Sequence, residues 1–444
     1  MNDLILRIAI RIYRFFVLSV ALVVGLLHVQ AAPKPDWLSD ASATVRETYD
    51  GNIFLSDVNA QFIPAGYPLP AGSVAALKNK SSTITSVAPK FGVSFLPWTG
   101  TNALSQFSLT YAPEFAIFQN EDSETHYDHH FITKLKGHTQ SWTYGLDNNF
   151  EFVDGSQVAP TYPGGYVTAY NTAAPRERRQ QIQDRANLTA LLDEESWFFR
   201  PGATLLYYDL QTAQINSTGY QNYPSRYDVH GGTDIGFKIP AKTALTISAQ
   251  AGHQYQEKFA FSPYESSANY LRLLGGAEGK PFSWLTFKFQ AGPDFRSYDS
   301  AAPVNNRNLI TYYDEGSFTA TLSANNTLTL DGRQFQWVSS VGKVPYFDTS
   351  ASLTWHHRFS EAVGSDLGVK YLGADYRSGN LSTCQRYDTE YCFTTGLSYA
   401  ATRQLSLTMG AELDLGRNAM DGIADPSTRD FHRILVTFGT TWQF

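Results

Sequence analysis

The residues best suited to redox chemistry are Cys384 and Cys392, the only two cysteines of the chain. They flank a predicted surface hairpin, and the N-terminal segment described below favours an oxidising compartment, where disulfides persist. The sequence therefore predicts a Cys384–Cys392 disulfide, with two unpaired thiols as the alternative. No histidine stands near them at a metal-ligand spacing, so we expect no metal and no cofactor.

Histidines offer the next candidate chemistry. The adjacent pairs at 129–130 and 356–357 cannot chelate one ion within a strand, because consecutive side chains point to opposite faces. His126, Asp128 and His130 do share a face and could bind a divalent ion or form a hydrolase site, but a solvated strand end is the favoured interpretation. The chain has no G-x-S-x-G nucleophile motif and no phosphate-binding loop, so we expect no enzyme.

A basic cluster lies near the end of the longest predicted loop, residues 154–182. Arg176, Arg178 and Arg179 would bias ion passage toward anions if this loop narrowed a pore. The alternative is a solvated loop that contacts lipopolysaccharide phosphates.

The end of the chain shows which elements must position such residues. From Phe431 to Phe444 the sequence alternates strictly, which indicates a strand with one apolar and one polar face. Phe438, Trp442 and Phe444 lie on the apolar face, and the chain stops on an aromatic residue. This ending is similar to the insertion signal of bacterial outer-membrane β-barrels, a location that also implies the barrel assembly machinery as a partner.

The N-terminus points to the same location. Arg7, Arg11 and Arg14 precede an apolar run over residues 15–27, and Ala31 fits a small-residue cleavage site. That run is short for a membrane-spanning helix, which needs about 20 residues. The sequence predicts a signal peptide over residues 1–31 and one barrel domain over residues 32–444.

Composition and turn spacing give the architecture. Aromatic residues make up 14% of the chain, with 33 Gly and 20 Pro, which suits aromatic-rich strands separated by frequent turns. Eighteen candidate strands alternate between short and long connections, as in outer-membrane barrels whose periplasmic turns are short. The prediction is an all-β transmembrane antiparallel barrel of 18 strands, with 16 as the alternative and both termini in the periplasm. A net charge of −7 argues against nucleic acid as a partner.

Charged residues inside strands must then face the lumen, because a Lys or Arg facing lipid at the midplane costs about 2–4 kcal/mol. The candidates are Lys288, Glu412, Asp414 and Arg433. Their mixed signs argue against a steep charge filter.

The first candidate strand of the mature chain, predicted over residues 44–57, resembles a known family. It contains Tyr49, Asp50, Asn52, Ile53 and Phe54, followed by Leu55. This motif resembles the opening strand of a β-barrel porin family of outer-membrane proteins associated with exopolysaccharide gene clusters. The resemblance covers the mature chain in layout but only about eight residues in motif. It implies an outer-membrane barrel and a conduit for secreted polysaccharide, and it carries over no catalytic residue.

The expected function is a porin-like outer-membrane channel that passes a polar solute or exports a polysaccharide. Its expected surroundings are outer-membrane lipid and lipopolysaccharide. The alternatives are a structural or assembly-partner barrel with a plugged lumen and, less favoured, an outer-membrane hydrolase that uses the His126 face.

Overall fold

The computed structural model describes residues 35–53, 55, 81–99, 103–156, 179–209, 225–240, 242–257, 267–299, 308–338, 345–375, 386–420 and 430–444. The predicted signal peptide lies outside these residues. Among the described residues no helix is long and apolar enough to cross a membrane.

The described chain is almost entirely β-strand. The first nine strands are β1 (Leu38–Asp50), β2 (Ser82–Ser94), β3 (Leu104–Tyr111 and Glu114–Phe118), β4 (His126–His138), β5 (Trp142–Ser156), β6 (Arg179–Asp193), β7 (Trp197–Asp209), β8 (Arg226–Ile239) and β9 (Thr243–Gln256). The other nine are β10 (Ala268–Phe282), β11 (Leu285–Tyr298), β12 (Asn308–Ser323), β13 (Asn326–Trp337), β14 (Tyr346–Arg358), β15 (Val363–Asp375), β16 (Arg386–Ala400), β17 (Leu405–Met420) and β18 (Phe431–Gln443). A short helix, α1 (Leu96–Thr99), separates β2 from β3.

The strands form one closed antiparallel sheet, in which every strand pairs with its neighbours in sequence and β18 returns to β1. Thr44 lies opposite Thr441 and Thr48 opposite Thr437 at this closure, and both pairs are joined by hydroxyl hydrogen bonds of 2.9 and 3.0 Å. The prediction of an 18-stranded barrel is confirmed, and the alternative of 16 strands is wrong.

Strand β3 has two segments because Pro113 lacks the N–H group that a continuous ladder requires. Both segments pair with β2 on one side and β4 on the other. The break is therefore a bulge within one strand, and the strand count stays at 18.

Two predicted boundaries are corrected. The first strand was expected over residues 44–57, but β1 ends at Asp50, because the Asp50 carboxylate accepts a hydrogen bond from the Asn52 N–H at 2.9 Å and turns the chain. The loop expected over residues 154–182 is shorter, since β5 continues to residue 156 and β6 begins at Arg179. Arg179 therefore belongs to a strand.

The two faces of the sheet differ in chemistry. The outward face exposes large apolar side chains along the strands: Phe115, Ile247, Leu273, Leu353, Val369, Phe393, Leu413 and Ile434. The inward face buries polar and charged ones: Thr246, Ser248, Gln254, Arg272, Gln290, Asp294, Arg296 and Asp414. An apolar exterior around a polar interior is the reverse of a water-soluble protein and is typical of a membrane-spanning barrel.

The two ends of the barrel also differ. One end carries α1 and seven short turns, and residues at both ends of the described chain, Ala41 and Phe444, meet there through a backbone hydrogen bond of 2.9 Å. Trp98, Trp197 and Trp284 lie exposed near these turns, where indole rings favour a membrane–water boundary. We call this the short-turn end and the opposite one the long-loop end.

Candidate functional site

The most densely bonded part of the lumen lies on strands β8 to β11, near the long-loop end. We call it the arginine–tyrosine wall and define it by seven inward-facing residues: Arg226, Asp228, Gln254, Tyr270, Arg272, Asp294 and Arg296. The register places Asp228 opposite Gln254, Tyr270 opposite Arg296, and Arg272 opposite Asp294. Residues directly opposite each other share a face, so the ladder brings these side chains together.

Asp294 is the central acceptor of this wall. Its Oδ2 accepts hydrogen bonds from Arg272 Nε at 3.1 Å and from Arg296 Nη2 at 2.7 Å. The carboxylate and both guanidinium groups are almost fully buried. Two cations on one buried carboxylate leave positive charge in excess at this point of the wall.

Asp228 organises the neighbouring part of the wall. Its carboxylate accepts hydrogen bonds from Gln254 Nε2 at 2.7 Å and Tyr270 Oη at 2.8 Å, and it lies 2.8 Å from His230 Nδ1. Gln254 Oε1 in turn accepts from Arg296 Nη1 at 2.6 Å. These bonds hold the donor groups of Gln254 and Arg296 in fixed positions.

Aromatic rings sandwich the arginines. The Arg272 guanidinium lies 4.3 Å from the ring centroids of both Tyr270 and Tyr313. Arg226 lies 5.3 Å from the Tyr208 ring and 5.1 Å from the Trp337 ring. Stacking fixes a planar guanidinium while its N–H groups stay available at the edge.

The donors of the wall are occupied by the backbone of the chain itself. The carbonyl oxygen of Gln336, near the end of β13, accepts from Arg296 Nη2 at 2.9 Å and Gln254 Nε2 at 3.2 Å. The carbonyl oxygen of Val338 accepts from Arg226 Nη1 at 2.9 Å. The end of β13 therefore crosses to the inward faces of β8, β9 and β11.

An apolar core accompanies this crossing inside the barrel. Its buried members come from strands β10, β12, β13, β14 and β15 and from the residue after β13: Leu274, Tyr313, Phe335, Trp337, Val338, Tyr346 and Ala374. At this level the lumen side of the wall is filled by packed side chains.

A second charged cluster lies at the closure between β1 and β18. Arg433 donates to both Asp50 oxygens, from Nε at 3.1 Å and from Nη2 at 2.6 Å, and its Nη1 lies 3.8 Å from Asp414. Asn52 Nδ2 donates to the His432 carbonyl oxygen at 3.0 Å. The opening motif thus holds the first strand to the last.

The motif also turns the chain into the barrel. Ile53 is fully buried against Ala116 and Phe118, which lie on the inward face of β3, with Ile84 of β2 beside them. Asp50 and Asn52 bind the last strand, and Ile53, the next residue of the motif, is apolar because it packs against this apolar patch of the inward face.

The other lumen candidates lie on inward-facing positions. Lys288 is directly opposite Glu278, which accepts hydrogen bonds of 2.7 and 2.9 Å from Arg200. Glu412 is two residues from Asp414 on the same face of β17. Cations and carboxylates thus alternate along these walls.

The predicted disulfide involves Cys384, which lies outside the described residues, so the pairing stays a prediction. Cys392 is buried on the inward face of β16, opposite Asp414, with its Sγ 3.6 Å from Glu390 Oε1. One ligand atom each from Glu390, Cys392 and Asp414 lies within 4.8 Å of the other two. Arg433 already contacts this group through Asp414, and a paired Cys392 would provide no thiolate.

The predicted arginine constriction remains untested, whereas the predicted histidine face can be compared with the structure. Arg176 and Arg178 lie outside the described residues, and nothing is described of the Arg179 side chain, so a constriction by these arginines stays a prediction. His126, Asp128 and His130 do not converge on one point: His126 Nδ1 bonds the Glu124 carbonyl oxygen at 2.7 Å, whereas His130 Nδ1 lies 3.4 Å from Glu151.

Sequence reasoning missed the arginine–tyrosine wall. A signal was present, because Arg226, Arg272 and Arg296 each stand in an alternating strand with an acidic or aromatic residue two positions away. Such i, i+2 pairs share a strand face. The pairs alone do not reveal which strands meet in register.

Together these features define the class of the protein. Each strand pairs with its neighbours in one closed sheet, and the apolar exterior and polar interior of that sheet suit a bilayer, so the chain is an outer-membrane-type β-barrel of 18 strands. Its location is the bacterial outer membrane.

Comparisons with solved structures find barrels of the same kind. OccK2 (OpdF) of Pseudomonas aeruginosa in complex with glucuronate is 11% identical, with 92% of this chain and 100% of that chain covered and a TM-score of 0.46. OccAB2 of Acinetobacter baumannii is also 11% identical, with 93% and 100% covered and a TM-score of 0.47. OpdK of Pseudomonas aeruginosa with vanillate is 12% identical, with 92% and 100% covered and a TM-score of 0.43.

No family model and no curated protein matches the chain. Identities and scores this low carry no argument about substrates, so the class of this protein rests on its own closed sheet and its two contrasting faces.

Proposed function

We propose that the protein is a diffusion channel of the outer membrane for small polar solutes rich in acceptor oxygens. The observation that carries this proposal is the inward face, where arginine, glutamine and tyrosine donors are fixed along the wall of an 18-stranded barrel. Barrels of 16–18 strands enclose enough space for an aqueous channel unless loops fill it.

The chemistry of the wall favours a solute that accepts hydrogen bonds. Three arginines stand beside two aspartates on β8 to β11, and the N–H groups of Arg226, Arg296 and Gln254 are bound to backbone carbonyl oxygens. A carboxylate or hydroxyl oxygen of a solute fits the same positions. Opposite charges elsewhere on the inward face keep the channel from being a general anion filter.

The experiment is reconstitution of the purified barrel in planar bilayers and in liposomes. We expect discrete single-channel conductance and uptake of small sugars and sugar acids. A barrel that is folded but passes neither ions nor sugars contradicts the proposal and favours the structural or assembly-partner alternative.

Export of a polysaccharide is the finer function that the opening motif implies. Liposomes loaded with a long uncharged dextran and with a disaccharide separate it from small-solute passage. Retention of the dextran together with loss of the disaccharide supports passage of small solutes.

The basic cluster at the start of β6, formed by Arg176, Arg178 and Arg179, belongs to the same proposal. If Arg176, Arg178 and Arg179 line the channel, replacing all three with Ser shifts the reversal potential toward cations, because a narrow passage with low-dielectric walls screens charge poorly. An unaltered reversal potential and conductance would place these arginines outside the ion path.

A further inference from the structure

The pairing between β12 and β13 stops before either strand ends. Their register runs from Ser323 opposite Asn326 to Asp314 opposite Gln334. Beyond that point residues 308–313 of β12 still pair with β11, and residues 335–337 of β13 still pair with β14. Among the described residues, the two neighbouring strands therefore separate in the half of the barrel near the long-loop end.

Residues 335–338, which we call the inner strap, fold inward while residues 335–337 stay paired with residues 346–348 of β14. Leu330 and Gln336 occupy the same face of β13, and Leu330 is 46% exposed on the outside of the barrel. Gln336 is 0% exposed, and its carbonyl oxygen is bound by Arg296 and Gln254 of the wall. The same face of β13 thus points to the outside of the barrel at Leu330, nearer the short-turn end, and to the lumen wall at Gln336, nearer the long-loop end.

The departure of the strap leaves one edge of β12 uncovered. Ile310 and Tyr312 are 66% and 71% exposed, the highest values among the described large apolar side chains. They flank backbone groups that have no strand partner on the β13 side within the described chain. An open strand edge leaves backbone N–H and C=O groups ready to pair with another strand.

Some buried polar atoms beside the strap have no hydrogen-bond partner among the described residues. They lie in the wall beside the strap: Arg272 Nη2, Arg226 Nε and Asp294 Oδ1. Such atoms disfavour a permanent packing arrangement.

The sequence of the strap fits the uncovered edge. Continuing the observed register by one residue at a time brings Phe335 opposite Tyr313, Gln336 opposite Tyr312 and Val338 opposite Ile310. Phe335 and Trp337 then stay on the lumen side, while Gln336 joins Tyr312 and Val338 joins Ile310 on the exterior. This alternative position completes the ladder and frees the donors of Arg226, Gln254 and Arg296.

We propose that the inner strap is a gate with two positions, inward on the arginine–tyrosine wall and outward on the open edge of β12. In the inward position its Gln336 and Val338 carbonyl oxygens occupy the donors that a solute uses. Solute oxygens compete for those donors and favour the outward position, which clears the lumen and seals the wall. The gate regulates access to the arginine–tyrosine wall. Its effect on conductance rests on the proposed channel function, whereas the two positions of the strap do not.

Two engineered cysteine pairs report the two positions, in a background that carries Cys384→Ser and Cys392→Ser. Tyr312→Cys with Gln336→Cys joins the strap to β12 only in the outward position. Tyr298→Cys with Gln336→Cys joins it to β11 only in the inward position. Replacing the Gln336 side chain leaves its bonded carbonyl oxygen in place.

Two further cysteine pairs are the positive and negative controls for disulfide formation between β12 and β13. Phe318→Cys with Leu330→Cys lies directly opposite within the paired part of the same two strands and must link in either state. Tyr312→Cys with Leu330→Cys is far out of register and must not link. Heat-modifiability in detergent shows that each variant has folded.

We expect oxidation to link both test pairs, as measured by mass spectrometry, and glucuronate to increase the Tyr312–Gln336 linkage. The outward link raises single-channel conductance and the inward link lowers it, and a reductant reverses both changes. Linkage of the control pair without any Tyr312–Gln336 linkage overturns the gate, and so does linkage that leaves conductance unaltered. Absence of conductance in every folded variant refutes the channel, while the linkage pattern still decides whether the strap moves.

Discussion

At the scale of single residues, the ion pair between Asp50 and Arg433 has the clearest role. It joins the first and last strands through two hydrogen bonds to a carboxylate that is 0% exposed. A bidentate geometry of this kind fixes register as well as adding energy. The opening motif is therefore a closure device of the barrel.

Replacing Asp50 with Asn should destabilise the barrel by about 3 kcal/mol, because removing one partner leaves the Arg433 charge poorly compensated. Urea unfolding in lipid vesicles measures this change. The control is Asp430→Asn, which removes the partner of the exposed Arg417 and should cost less than about 1 kcal/mol. If the two substitutions lower the free energy of unfolding equally, the Asp50–Arg433 ion pair does not stabilise the barrel more than an exposed ion pair does.

The cysteine pair gives a second prediction at this scale. A Cys384–Cys392 disulfide closes a short loop, so it should contribute at most about 2–3 kcal/mol to stability. Mass spectrometry of unreduced peptides detects the linked pair directly. Two thiols that both react with an alkylating reagent in the folded protein would show that no bond forms.

At the scale of elements, β18 combines closure with a terminal aromatic residue. The Phe444 N–H donates to the Ala41 carbonyl oxygen at 2.9 Å, and its ring stands edge-on to Trp442 at 6.4 Å between centroids. The ring itself remains half exposed at the short-turn end.

Deleting Phe444 should reduce insertion and increase periplasmic degradation, because the apolar face of the strand loses its last anchor. Folded barrel in outer-membrane fractions is the quantity to measure, by heat-modifiability on gels. The matched variant Phe444→Tyr keeps an aromatic ring and should insert normally. Normal insertion of the deletion variant would make the terminal residue incidental.

At the scale of the whole molecule, the two faces of the sheet decide where the protein can be stable. Leu353 and Thr354 are neighbours at the middle of β14, one outward and one inward, and both are exposed. Leu353→Lys should cost about 2–4 kcal/mol in a bilayer, whereas Thr354→Lys should cost far less because the lumen is polar. Unfolding in vesicles compares them, and a reversed order would invert the assignment of the faces.

The sequence by itself determined the class of architecture. Period-two alternation, as in Leu407, Met409 and Leu413, follows from the geometry of a strand in which one side meets lipid and the other does not. The spacing of short turns then favoured 18 strands, with 16 as the alternative that the structure excluded. These are local properties, so they can be predicted without knowledge of distant contacts.

Only the tertiary structure decided which side chains meet. Arg296 contacts Gln336 because the end of β13 separates from β12 and folds inward. No local pattern in residues 326–338 predicts that separation. The first strand was misplaced for a related reason, since its end depends on the Asp50 carboxylate binding both Asn52 and the distant Arg433. Register and strand departure arise from contacts between residues far apart in sequence, and for that reason the fold was predictable while the candidate site was not.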